Sequence, residues 1–338
     1  MTERSITFRE CYKEWRKERI MYAEAGVIEL ATIHIDDLAY ETYYRNAPFA
    51  CEPVNKITTA QLNEFLIMCI AKYNANHDWK MTRKCFDGVA RVGKKVFRYA
   101  YENRIVEENP FDRVKSGIAK SLPAKTGRKK DEEQVLTEQE CRKVRARLQE
   151  LHEKRPDDVR PLALMLYMHI GARRGEPVAL TWDDVGDDAI RIHDSVHFAY
   201  HMRDDGTIYR HGEELKGKTK TGAERFIPIT PEIRYILDEV RKAQRFVRNP
   251  VYVFEDFYAK RTSQALALYL SKHVMAYLGI RNKGITSLRK TVASQMARLT
   301  PDRNSIAKLL GHSTFVDECY YQYNLSTQEE QIRLLTSR

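Results

Sequence analysis

Two mainly helical domains, the second interrupted by a small antiparallel β-sheet, are what the sequence predicts, and three observations predict it. Helix-opening capping boxes recur at Thr7-x-x-Glu10, Thr58-x-x-Gln61 and Thr137-x-x-Glu140, each followed by apolar residues at helical spacing. A stretch dense in Lys and Arg and broken by Gly and Pro separates the second box from the third. Alternating strand-like segments occur only in the second half, and they are short. A chain of 338 residues, 43% hydrophobic and 31% charged, is long enough to bury two cores. The expected division is a helical domain over 1–116, a basic linker over 117–134 and a second domain over 135–338.

The first box opens a helix whose apolar side carries Phe8, Cys11, Tyr12 and Trp15. The second opens a helix with Leu62, Phe65, Leu66, Cys69, Ile70 and Tyr73 on one face. From Met81 to Tyr101, Phe86, Val89, Gly93, Val96, Phe97 and Ala100 share one side. Lys84, Arg91, Lys95 and Arg98 fall opposite them, at about 100° per residue. That basic face is either simply solvated or a surface for DNA. Asn109-Pro110 ends the helical region. The following Arg113, Lys115, Lys120, Lys125, Arg128, Lys129 and Lys130, with Gly117, Pro123 and Gly127 among them, describe an exposed tether able to cross phosphates. Thr137 starts the second domain, followed by an apolar helix around Leu162–His169 and by short strands at Ala189–His193 and Arg225–Ile229.

The net charge of +10 favours contact with a polyanion, because clustered Lys and Arg displace counterions from phosphates; an anionic membrane surface is the competitor. The longest apolar stretch, Leu162 to Ile170, falls well short of the ~20 residues a membrane helix needs. No uninterrupted apolar segment of the secretory kind opens the chain, so a cytoplasmic protein is expected. The six cysteines, Cys11, Cys51, Cys69, Cys85, Cys141 and Cys319, include no C-x-x-C pair, so reduced and mostly buried thiols are expected. Neither a metal-binding H-E-x-x-H nor a phosphate-cradling glycine loop is present, and no cofactor is expected.

Four segments gather cations, histidine and tyrosine late in the chain. Gly171-Ala-Arg173-Arg-Gly-Glu176-Pro follows one helix and precedes another, leaving Arg173 and Glu176 at the junction. Lys218-Thr-Lys220-Thr-Gly222 reads as a turn leading into a strand that stops at Pro228. Ile285-Thr286-Ser-Leu-Arg289 follows, and then Leu309-Leu-Gly-His312-Ser with Tyr320, Tyr321 and Tyr323 close behind. Taken singly, an arginine at a junction is most often structural, a turn lysine solvated, and a tyrosine cluster packing.

In this order and combination the segments resemble those of the tyrosine recombinase, or phage integrase, family, to which integrases of phages and conjugative transposons belong. The resemblance extends loosely to the first domain through Tyr99-Ala-Tyr101 and Glu108-Asn-Pro-Phe111. It implies a helical core-type DNA-binding domain followed by an α+β catalytic domain, and a site-specific recombinase that cuts and rejoins DNA through a 3′-phosphotyrosine without metal or ATP. It makes Tyr321 the nucleophile, Arg173 and Arg289 the phosphate-binding arginines, His312 a further donor and Glu176 the acid that supports Arg173. Lys220 becomes the acid for the leaving 5′ oxygen, with Lys218 a neighbouring phosphate contact. Thr286 stands where the family carries a histidine, and a threonine hydroxyl cannot serve as a base near neutral pH.

The implied partners are double-stranded DNA recombination sites, contacted also by Lys84, Arg91, Lys95, Arg98, Lys129 and Lys130. A homotetramer in the synaptic complex is implied too, with accessory DNA-bending proteins beside it. Ile332, Leu334 and Leu335 form a short amphipathic pattern suited either to exchange between subunits or to packing within one. The first residues already resemble the core-binding domain, so a preceding arm-binding domain is either lacking or cut away. Three other readings remain at this point. They are a type IB topoisomerase-like enzyme, a DNA-binding relative weakened at Thr286, and a two-metal transposase using Asp183, Asp184, Asp187 and Asp188, which sit closely enough around Trp182 and Gly186 to form a turn.

Overall fold

Thr7 and Glu10 complete their capping box, side chain to backbone in both directions, and start α1 (Phe8–Glu24). The computed structural model describes residues 6–123, 131–217, 224–258, 260–300 and 302–311. Two compact units divide the chain, one of Met1–Arg128 with Ala199–Gly212, the other of Lys129–Phe198 with Glu213–Arg338.

In the first unit, α1 is followed by α2 (Leu30–Ala39), which runs into a wide turn at Tyr40–Tyr44. The Thr58 box starts α3 (Thr59–Ala75), and Thr82 caps α4 (Arg83–Glu102). The apolar faces read from the sequence meet in one core: Phe8, Cys11, Trp15, Leu62, Phe65, Leu66, Phe86, Val89, Val96 and Phe97 are all buried. Gly93 is required there, because a Cβ at this position would lie 2.5 Å from the Phe111 ring and 2.7 Å from the Tyr44 hydroxyl. Part of the stretch expected to be an exposed tether is folded: α5 (Ser116–Lys120) and buried Leu122 pack with this core. The Arg83 side chain donates to the Leu122 and Lys120 carbonyls at 3.1 and 2.9 Å. Lys129 and Lys130 lie outside the described residues.

In the second unit, α6 (Asp131–Gln134) precedes α7 (Glu138–Lys154), which the Thr137 box opens. Glu140 of that box also pairs with Lys283 at 2.7 Å, tying the start of α7 to the segment before α11. The central helix α8 (Val159–Ile170) is buried along almost its whole length and ends at Gly171, whose φ of 58° is left-handed. A Cβ on Gly171 would come within 3.0 Å of Leu310 and Val292. Around α8 pack α7, α9 (Pro231–Ala243), α10 (Ser263–Tyr269) with its wide-turn continuation Leu270–Met275, and α11 (Ile285–Leu299). The last described helix is α12 (Arg303–Leu310), capped by Asp302 at its start and by left-handed Gly311 at its end.

Among the described residues, two strand pairs complete the fold. β1 (Ala189–Ile192) runs antiparallel to β4 (Arg225–Pro228), in a register that sets Ile192 opposite Arg225 and Ala189 opposite Pro228. β2 (Ser195–Met202) and β3 (Ile208–Lys216) form a second two-stranded sheet. This pair was not foreseen, and the sequence explains why: His197, His201, Arg210 and His211 break the apolar alternation that marks a half-buried strand. The mainly helical class with a small antiparallel sheet stands as predicted.

Cys11, Cys69 and Cys141 are buried free thiols, whereas Cys51 and Cys85 are exposed. No described helix is long and apolar enough to cross a membrane.

Candidate active site

The junction between α8 and the short turn Pro177–Ala179 is built around Glu176, whose side chain has no exposed surface. A buried carboxylate needs charged partners and donors to all its lone pairs. Glu176 has four donors. The Arg173 N–H and Arg225 Nη2 reach Oε2 at 2.7 and 2.6 Å, and Arg173 Nη1 and Arg225 Nη1 reach Oε1 at 3.0 and 3.1 Å. Burial alone pushes this carboxyl up, but the hydrogen bonds and charge of Arg225, followed by those of Arg173, outweigh it and hold the group below the usual glutamate range. Gly175 is needed between the two, because a Cβ there would meet the Val196 carbonyl at 2.2 Å.

Arg173 and Arg225, joined by Arg289, converge on the carbonyl end of α12, the negative end of the helix dipole. Arg225 Nε donates to the Leu309 carbonyl at 2.8 Å, Arg289 Nη2 to that of Leu310 at 2.8 Å, and Arg173 Nη2 to that of Gly311. Three consecutive carbonyls just before His312 therefore each receive a different arginine. Arg289 Nη1 also donates to the Gly171 carbonyl at 2.7 Å, so the left-handed end of α8 and the end of α12 are joined through one guanidinium. Among the described residues, three guanidinium charges stand with the one carboxylate of Glu176. The surplus of positive charge, together with the N–H groups that Arg173 does not spend on Glu176 and Gly311, suits an oxyanion such as a phosphodiester. Arg173 keeps 20% of its side chain exposed, while Arg289 is 3% exposed.

Thus the structure brings together Arg173, Glu176 and Arg289 as the sequence reading grouped them. It adds Arg225, which that reading treated only as the start of a strand. The signal was present in the alternation of β4: Arg225 shares the buried face with Ile227 while Phe226 and Pro228 are exposed, and a charge on the inward face of a strand calls for a partner. Arg174, the neighbour of Arg173, points elsewhere, its Nε donating to the Ser263 hydroxyl at 3.2 Å. Thr286 is exposed in the first turn of α11, one turn before Arg289. Lys218, Lys220, His312 and Tyr321 lie outside the described residues, as do Ile332, Leu334 and Leu335.

On α4, Lys84 and Arg98 are exposed and make no ion pair among the described residues. Arg91 and Lys95 are held differently. They pair with buried Asp36 at 3.2 and 2.9 Å, and Arg19 joins them at 3.2 Å. Arg91, Lys94, Lys95 and Arg98 nevertheless line one concavity of about 350 Å³ with Asp87 as its acidic member. Asp184 accepts from the Thr181 backbone and hydroxyl and contacts His193 Nε2 at 2.8 Å, which places it in a turn. Among the described residues no group of three or more His, Cys, Asp or Glu is arranged to hold a metal ion.

A model described as the phage integrase family matches residues 134–326, more than half of the chain. The chain belongs to that family. Its members are tyrosine recombinases, enzymes that cleave and rejoin DNA, and the matched span runs from before Arg173 to beyond Tyr321. Solved structures agree on the fold. The Tn1549 transposon integrase in complex with a circular intermediate DNA is 15% identical with a TM-score of 0.66, covering 99% of this chain and 100% of that one. A lambda integrase tetramer bound to a Holliday junction is 16% identical with a TM-score of 0.66, covering 96% of this chain and 80% of that one. The XerH site-specific recombinase bound to its difH substrate is 16% identical with a TM-score of 0.57, covering 90% and 78% respectively. No curated protein sequence matches the chain.

Proposed function

We propose that this phage integrase family member is a site-specific DNA recombinase in which Tyr321 attacks a scissile phosphate and forms a 3′-phosphotyrosine. The observation that carries the reading is the meeting of Arg173 and Arg289 at the end of α12, immediately before His312. Tyr321 Oη forms the new bond to phosphorus as the bond to the 5′ oxygen breaks. Arg173, Arg289 and His312 donate to the non-bridging oxygens, where charge accumulates in the transition state. Lys220 gives its proton to the departing 5′ oxygen, provided closure of the site lowers its pKa. The tyrosine proton, with an unperturbed pKa of about 10, leaves during attack. Thr286 cannot take that proton, so His312 or water carries it.

The phosphotyrosine keeps the phosphodiester linkage in covalent form. The 5′ hydroxyl of a second DNA strand can then attack it, releasing Tyr321 and closing the new strand without ATP. Lambda integrase has been solved as a dimer on a core site and as a tetramer on a Holliday junction, and the latter supports a tetramer on two duplexes here. We assign residues 1–116 to a core-type DNA-binding domain with Lys84 and Arg98 as phosphate contacts, 117–134 to a linker whose first part is folded onto that domain and which carries Lys129 and Lys130, and 135–338 to catalysis. Arg91 and Lys95 remain candidates whose pairing with Asp36 limits their reach. Lys218 is assigned to a phosphate beside the Lys220 turn, and accessory DNA-bending proteins are further partners.

A nicked suicide substrate, which traps the covalent step by losing its 5′ end, tests this reading. Wild-type protein should accumulate a protein–DNA adduct that Tyr321→Phe abolishes. An adduct that persists in Tyr321→Phe refutes the nucleophile. No adduct in the wild type would favour the weakened DNA-binding relative, the alternative that the exposed Thr286 supports. Strand exchange between two sites, as opposed to relaxation of one supercoiled circle, separates recombinase from type IB topoisomerase.

A further inference from the structure

Arg225 has no role in the chemistry set out above, yet it grips Glu176, the carboxylate that holds Arg173, and donates to the carbonyl end of α12. Arg225 is the first residue of β4, directly after the segment that holds Lys220, and its side chain is 7% exposed. Its donors are turned inward: Nη1 and Nη2 grip both oxygens of Glu176, and Nε donates to Leu309. It therefore cannot itself reach a DNA phosphate in this arrangement. Glu176 meanwhile attracts two guanidinium groups with one charge.

Were Arg225 absent, Arg173 would be the one cationic partner of the buried carboxylate among the described residues. A buried carboxylate with a single arginine draws it into a two-pronged pair. Arg173 now meets Glu176 through its backbone N–H and only one terminal nitrogen, leaving Nη2 directed to the Gly311 carbonyl and the remaining N–H groups for another acceptor. Arg225 also packs closely on Gly311, where a Cβ would lie 3.0 Å from Arg225 Nη1.

We propose that Arg225 is a positioning residue for strand transfer. It saturates the Glu176 carboxylate so that Arg173 keeps donors for the scissile phosphate, and it anchors the strand after the Lys220 turn to the helix end from which His312 follows. The proposal rests on the recombinase reading above.

Single-turnover cleavage of the nicked suicide substrate at saturating protein, with DNA affinity measured separately, tests it. Arg225→Gln should slow adduct formation on the order of 100-fold, the scale of losing one oriented donor to the transition state, while DNA affinity stays within about threefold. Adding Glu176→Gln to Arg225→Gln removes the charge that recaptures Arg173, so the double variant should cleave at least about tenfold faster than Arg225→Gln alone. A residue that merely supports the fold predicts the opposite, a double variant no faster than the single. If Arg225→Gln does not fold, Arg225→Lys, which keeps the charge but loses the fork, should bind DNA normally and cleave at least about tenfold slower.

Cleavage by Arg225→Lys or Arg225→Gln at the wild-type rate, or a double variant no faster than Arg225→Gln, overturns the proposal while leaving the recombinase reading intact. Absence of any adduct in the wild type, or its persistence in Tyr321→Phe, is the separate failure of that reading.

Discussion

Removing the Glu176 side chain should destabilise the second unit more than any other single change in the site. Glu176→Ala leaves Arg225, 7% exposed, without its carboxylate and strips Arg173 of the contact that orients it. Breaking a buried ion pair by deleting one partner costs about 3–5 kcal/mol. For a unit of this size each kcal/mol lowers the melting temperature by about 2–4 °C, so calorimetry at neutral pH should show a fall of about 6–20 °C. Glu176→Gln keeps an acceptor and loses the charge, which places it at about 1.5–3 kcal/mol.

The effect also has a sign in pH. Because Glu176 titrates lower in the folded chain than when unfolded, the unfolded state binds more protons in the acid range, and the stabilisation is complete above the ordinary glutamate value of about 4.3. It is lost as pH falls through the lower folded value, so the gap between wild type and Glu176→Gln should narrow in acid. A Glu176→Ala protein that melts within about 2 °C of wild type at neutral pH, where a 3 kcal/mol loss is expected, would refute this view of the buried pair.

Thr286→His restores an imidazole one turn ahead of Arg289 and should raise the cleavage rate near neutral pH at least about tenfold, with a new ionisation near pH 6–7 in the rate profile. Gly311→Ala and Gly26→Ala both place a side chain at positive φ, at about 1–2 kcal/mol each, but only the Gly311 Cβ meets Arg225, while Gly26 has open space. Denaturant titration should therefore find the larger loss for Gly311→Ala, and the cleavage assay should find only Gly311→Ala slowed. Arg98→Ala should reduce the slope of log affinity against log salt by about 0.9, the loss of one phosphate contact, and Arg91→Ala, already paired with Asp36, by less.

Where local chemistry decides structure, it could be read directly. Thr7, Thr58 and Thr137 announce α1, α3 and α7 because a capping box satisfies backbone donors within four residues, and Gly171 marks the left-handed end of α8 for the same local reason. The helix α2 gave no such sign, since Glu29 makes no side-chain cap and buried Asp36 interrupts the apolar face. That aspartate is stable inside because Arg19, Arg91 and Lys95 surround it, a partnership between residues 17 to 59 positions apart that no local pattern contains. Arg173, Glu176 and Arg289 were legible through their motifs and their order. Arg225 was not, because its meaning depends on Glu176, 49 residues earlier, and Leu309, 84 residues later.

The central claim is that one tyrosine of this chain becomes joined to DNA. Trapping the adduct on a nicked substrate, digesting it and sequencing the nucleotide-bearing peptide by mass spectrometry tests this most directly. The modified residue should be Tyr321, carrying the 3′ phosphate of the cleaved strand. A nucleotide on Tyr320 or Tyr323, a linkage to a 5′ phosphate, or no modified peptide at all would contradict the account.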